Sequence, residues 1–213
     1  MEIRLAKALD KNVTYTLDDP KLDQAIQMLS TIARIPIRLD KDKLKEAGMA
    51  PDAKVPYKMA GFLSLRSALN LILDGLDLAY EPDAKGLLIT TRKSAKSSSD
   101  KLSEPQRACA QRIEKVLDQK VSFDFKKKSL AEIAQHFEQQ TNENFVLSPA
   151  SRRAGNLDPN TLVSGSAKDM PLREALNKLL GPMGIGFQVR DEVVVLTGKA
   201  RGPLANYNHS PLR

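Results

Sequence analysis

Apolar residues recur along this chain in two rhythms, and the same succession of rhythms occurs twice. At Val13–Leu17 and Val121–Phe125 apolar and polar residues alternate, the period of a strand with one buried face. Leu22, Ala25, Ile26, Leu29 and Ile32 then fall three or four apart, which sets them on one stripe of a helix. Leu130, Ile133, Ala134 and Phe137 form the equivalent stripe. Asp19-Pro20 reads as the start of the first of these helices, a cap followed by a proline whose missing N–H costs nothing in the first turn. Ser129 is the matching cap. A second strand at 35–39 or 144–147 leads into a polar turn or short helix ending at Ala-Gly, and a third strand is expected at 55–59 or 162–167. Leu65, Ala68, Leu69, Ile72, Leu73 and Leu76 mark a second helix, matched by Leu172, Ala175, Leu176, Leu179, Leu180 and Met183. It starts at Ser64 in one place and Pro171 in the other. Strands at 78–81 with 87–91, and at 185–190 with 193–197, close each set as a hairpin, turning at 83–86 and 191–192. A short helix, about 2–10 and 105–118, precedes each set.

The correspondence reaches single residues, at a period of about 108, the spacing of a duplicated unit. Arg4-x-x-Lys7-x-Leu9-Asp10-x-x-Val13 returns as Arg112-x-x-Lys115-x-Leu117-Asp118-x-x-Val121. Leu65-Arg66-x-Ala68-Leu69-Asn70 returns as Leu172-Arg173-x-Ala175-Leu176-Asn177. Leu78-x-Tyr80 returns as Ile185-x-Phe187. The expected fold is therefore α+β: two tandem β-α-β-β-α-β-β modules, each a small mixed sheet with two helices packed on one face. The modules span 1–93 and 107–200, joined by a Ser- and Lys-rich linker at 94–106 and followed by a loose tail at 201–213.

This pattern resembles the short N-terminal (STN) domain shared by secretins and TonB-dependent receptors. Leu172–Leu180 with Ile185-Gly-Phe187, and Leu65–Leu73 with Leu78-Ala-Tyr80, carry the likeness. It covers about residues 11–93 and 119–199. The resemblance implies a binding role, docking a partner protein or packing against further copies, and a periplasmic or cell-envelope location. No secretin barrel accompanies the two copies. The stretch Met1–Ala6 lacks the apolar core of a signal peptide, so an envelope location implies a processed or recombinant fragment. A cytoplasmic location follows if residue 1 is the natural start.

Composition narrows the chemistry. The chain has 213 residues, 41% of them hydrophobic, with no Trp, so Leu, Ile, Val, Ala and Met must build the core. No apolar run reaches the ~18–20 residues that span a bilayer. The single cysteine, Cys109, reads as a packing residue with no second thiol to pair with. His136 reads as a boundary residue, and His209 sits in the tail. Asp18-Asp19 and Asp40-x-Asp42 flank helix starts, where carboxylates complement the helix dipole. Gly181-Pro-Met-Gly184 has the spacing of a nucleic-acid backbone clamp but falls between a helix and a strand, where it serves as a helix stop. No cofactor or metal set is expected.

The net charge of +7 is unevenly divided. Residues 1–93 carry 15 basic and 13 acidic residues, whereas 107–213 carry 16 and 11. The excess gathers at Lys126, Lys127 and Lys128, placed in a strand-to-helix turn, and at Arg152 and Arg153 in the middle loop. These five form the candidate binding patch, attractive to acidic surfaces or phosphate. The expected function is a non-catalytic protein-interaction or assembly module, not an enzyme. The alternative is a basic nucleic-acid-binding protein. Sheet edges and the groove beside the second helix are the expected contact surfaces.

Overall fold

Residues 2–95 and 103–198 are described by a computed structural model, and the fold is α+β. In the first half the order is α1 (Glu2–Leu9), β1 (Asn12–Asp18), α2 (Leu22–Ala33), β2 (Ile37–Leu39), α3 (Lys41–Glu46), β3 (Lys58–Ser64), α4 (Leu65–Asp74), β4 (Leu78–Asp83) and β5 (Gly86–Thr91). The second half repeats it: α5 (Glu104–Leu117), β6 (Lys120–Ser129), α6 (Leu130–Thr141), β7 (Phe145–Leu147), α7 (Pro149–Arg153), β8 (Leu162–Pro171), α8 (Leu172–Leu180), β9 (Ile185–Arg190) and β10 (Val193–Gly198). The tail at 201–213, with His209, and the linker residues 96–102 lie outside the described residues.

Each half divides its strands between two small sheets where the sequence suggests one. β1 pairs antiparallel with β3, and β6 with β8. The other sheets have the orders β2-β5-β4 and β7-β10-β9, with the first strand parallel to the central one and the last antiparallel to it. Hydrogen bonds between loops repeat as well. The Leu22 N–H donates to the Ala53 carbonyl as Leu130 does to Thr161, and Leu65 to Lys11 as Leu172 does to Gln119. Arg66 pairs with Asp10 at 3.1 Å, and its counterpart Arg173 pairs with Asp118 at 3.3 Å. Charged groups that match in the sequence thus meet in space, tying each leading helix to the second main helix.

Local chemistry explains where the elements begin. Ser129 accepts from the Glu132 N–H, and Glu132 returns a bond to the Ser129 N–H, the reciprocal cap of a helix start. α2 has no such cap: it begins at Leu22 behind Lys21, two residues later than Asp19-Pro20 predicts. Asp19 adopts a left-handed backbone at φ 45, and the Pro20 carbonyl accepts from the Val55 N–H, so this stretch is extended rather than helical. Val55 and Tyr57 are buried ahead of β3, which starts at Lys58 rather than near 55. α5 begins at Glu104, inside the expected linker, with the Gln106 side chain accepting from the Ser103 N–H at 3.0 Å.

Two apolar clusters form the interior, and they do not split cleanly between the halves. Val146, Val193 and Val195 of the second half pack into the cluster of the first. Val194 and Leu196 belong to the second cluster. Successive side chains of a strand point to opposite faces, so β10 serves its own helices with one face and the first half with the other. Burying a valine is worth about 1.5–3 kcal/mol, and all three are at most 1% exposed.

Candidate interaction surfaces

The junction between the halves concentrates the buried polar chemistry. The β9–β10 hairpin turns at Asp191 and Glu192, both at positive φ, 50 and 64. This places two acidic side chains at the tip. Glu192 accepts from the Ser64 N–H at 2.7 Å, where α4 starts. Asp191 accepts from the Asn70 side-chain amide at 2.7 Å. An acid at a helix N-terminus is favoured by the helix dipole. Burial pushes the Asp191 carboxyl above its ordinary value, partly offset by the Asn70 hydrogen bond. Below the tip, Arg190 bonds Asp74 at 2.7 Å, and the α5 residue Gln106 donates to Ser67. Behind it lie Tyr15 and Tyr57, whose hydroxyls meet at 2.7 Å. Burial raises both phenols.

The candidate basic residues separate into two groups. Arg152 and Arg153 lie on α7, a short helix rather than a loop, and both face the first half. Arg152 forms a two-pronged pair with Asp19 at 2.9 and 3.1 Å, which is why Asp19 is not the cap the sequence suggests. Arg153 donates to the Gly75 carbonyl. Lys126, Lys127 and Lys128 lie within β6, not in a turn. The pairing register shifts between Phe125 and Lys128, and Lys127 takes φ 52, the geometry of a β-bulge. Lys128 pairs with Glu132 at 2.8 Å and Lys126 approaches Asp124 at 3.6 Å. The structure therefore spends the arginines on internal docking and leaves the lysines solvated.

The other candidates occupy packing positions. Cys109 is half-buried beside the second core, and burial pushes its thiol up while Arg112 pulls the other way. Arg112 grips Glu143 with bonds of 2.7 and 2.8 Å. His136 stands edge-on to Phe125 and Phe137, and its buried Nε2 has no hydrogen-bond partner among the described residues. Asp40 caps α3 through the Lys43 N–H. Gly181–Met183 forms a single 3-10 turn ending α8. Among the described residues no group of three His, Cys, Asp or Glu could hold a metal, and no helix is long and apolar enough to cross a membrane.

Two clefts open on the first half. One, of about 420 Å³, lies where α7 meets it, with Val55, Pro56 and Leu76 lining it and Asp19, Lys54 and Arg153 at its edge. The other, about 460 Å³, runs between α2 and the open side of β2, lined by Ile26, Ile37, Leu39 and polar residues of α2. In the sequence Asp191-Glu192 reads only as a turn. The uninterrupted Val193-Val-Val-Leu196 run was the available signal for the docking face, since strands buried on both sides read as continuous apolar runs.

No protein-family model, curated protein or solved structure matches the chain.

Proposed function

We propose that this chain is a non-catalytic interaction and assembly unit, two STN-like modules of a bacterial envelope protein that bind a partner protein or further copies. The observation that carries this reading is the junction itself. Val146, Val193 and Val195, with Asp191, Glu192, Arg152 and Arg190, use the sheet face, hairpin tip and α7 of one module to grip a protein surface. A fold that docks onto its neighbour in this way is suited to docking onto other proteins. The periplasmic location implied by the resemblance belongs to the same proposal.

The test is cross-linking of the full chain in its native cells, followed by identification of the products. Recovery of a defined protein partner or of homo-oligomers supports the proposal. A monomer with no cross-linked partner at native abundance overturns it. Nucleic-acid binding has less to rest on, because Arg152 and Arg153 are engaged with Asp19 and Gly75. A gel-shift titration with duplex DNA and with RNA at low salt is expected to show no retardation, and steeply salt-dependent retardation would favour it instead.

A further inference from the structure

The two halves treat their short parallel edge strands differently. In β2 the Pro36 carbonyl and the Asp40 N–H bond to β5, and the parallel register places Arg38 facing β5 between them. The N–H and carbonyl groups of Ile37 and Leu39 therefore point away, and no strand pairs with β2 on that side among the described residues. β7 repeats this geometry, with the Asn144 carbonyl and the Ser148 N–H turned to β10. There the outward N–H of Phe145 is filled: Glu138, from α6, accepts from it at 3.0 Å. Burial pushes the Glu138 carboxyl up, and this bond offsets part of the rise.

The residue of α2 that corresponds to Glu138 is Ser30. Its hydroxyl turns to the Ile35 carbonyl at 2.7 Å and does not reach Ile37. The 460 Å³ groove occupies the space between α2 and β2. An unfilled edge donor beside a partly apolar groove is the arrangement that receives an added strand, with main-chain bonds giving affinity and the groove side-chain selectivity.

We infer that β2 of the first half is a receptor edge for an extended segment of another polypeptide, a deepening that rests on the interaction reading above. The incoming strand supplies a carbonyl to Ile37 N–H, where Glu138 supplies a carboxylate oxygen in the second half. It places an apolar side chain against Ile26, Ile37 and Leu39. Lys41, exposed at the end of the groove and without an ion-pair partner among the described residues, selects an acidic residue on that strand.

The experiment uses the full chain as bait for a displayed library of random peptides, with the selected peptide then synthesised. Ser30→Glu installs the plug found in the second half, and Ser30→Ala controls for loss of the hydroxyl. The expected result is binding that slows amide exchange at Ile37 and Leu39, weakens about tenfold or more in Ser30→Glu, and survives in Ser30→Ala. An unchanged melting curve for Ser30→Glu shows that the variant still folds. No selected peptide, affinity unchanged in Ser30→Glu, or protection mapped elsewhere overturns the inference. So does concentration-dependent dimerisation abolished by Ser30→Glu, which makes a second copy the occupant. Slow exchange at both amides in the peptide-free chain, lost on truncation after Gly198, assigns the edge to the chain's own C-terminal segment and also overturns it. If native cross-linking finds a partner that Ser30→Glu does not affect, the interaction reading stands and the edge assignment falls.

Discussion

Val146, Val193 and Val195 cover the outer face of the second half's sheet, and the matching positions in the first half hold Arg38, Gly86 and Leu88. The opposing surface differs as sharply. Ser67 and Leu71 are fully buried on α4, and Gly75 closes it, whereas α8 carries exposed Glu174 and Lys178, followed by Pro182, at the equivalent sites. Ser64 offers Glu192 a backbone N–H, but its counterpart is Pro171, which has none. The hairpin tip that matches Asp191-Glu192 is the exposed Ala84-Lys85. Duplication thus preserved the core of each half and differentiated its faces. The docking chemistry appears once, and neither outer end offers the complementary surface needed to repeat it. Among the described residues, an open-ended stack of the kind heterologous interfaces build finds this docking chemistry at neither outer end, so assembly with further copies would use other surfaces.

The sharpest way to break this contrast is Val195→Asp against Leu88→Asp. Placing a carboxylate at the fully buried Val195 should cost about 4 kcal/mol or more. At the partly exposed Leu88 the same change should cost about 1–2 kcal/mol. Urea denaturation at neutral pH measures both, and similar losses would show that the two sheet faces are equally covered. Next comes Gly75→Ala. Gly75 has ordinary helical backbone at φ −64, where alanine is intrinsically favoured, but the added Cβ would lie 2.7 Å from the Pro149 Cβ. Overpacking at the junction should destabilise by about 1–3 kcal/mol, while Pro182→Ala changes stability by about 0.5 kcal/mol or less. A stabilised Gly75→Ala would mean that α7 does not press on α4.

Helix starts give a smaller contrast. Ser129→Ala removes the cap of α6 and should cost about 1 kcal/mol, whereas Lys21→Ser supplies the cap that α2 lacks and should add about 0.5 kcal/mol. Thermal melts read both, and opposite signs are the expected outcome. The smallest effect concerns Asp191. Its ionised form is disfavoured by burial in the folded state, so this group makes stability rise as pH falls through its raised folded value and level off below its unfolded one. Asparagine keeps an acceptor for Asn70 and suits the positive φ. Asp191→Asn should be at least as stable as the unaltered chain at neutral pH, with that part of the pH dependence gone. A loss above about 1 kcal/mol would show that the charge itself holds the junction.

Much of the candidate surface was readable only in part. Lys126–Lys128 and Arg152–Arg153 look alike in sequence, both runs of cations between elements. Their fates differ because Asp19 and the Gly75 carbonyl, far away in the chain, stand in front of the arginines. Asp19 looked like a cap because Asp-Pro before an apolar stripe has that local meaning. Arg152 and the extended Pro20 override it. Ser30 and Glu138 occupy the same point of the repeat, yet their contrast gains meaning only once β2 and β7 are seen to have open sides.

What the sequence determined by itself was the duplicated α+β plan and the interior face of nearly every element. Those depend on local periodicity, which fixes the side that must leave water. Which surface covers an outward face, which edge stays open and which cations stay solvated were decided only by the tertiary structure. The covered face and the engaged arginines depend on groups about 80 to 130 residues away in the chain, as in the pairs Gly75 with Arg153 and Ser64 with Glu192, whereas the open edge turns on a near neighbour, Glu138 beside Phe145, once the sheet has set which side of the strand is free. Apolar patterning specifies that a residue is buried, but it does not specify by what.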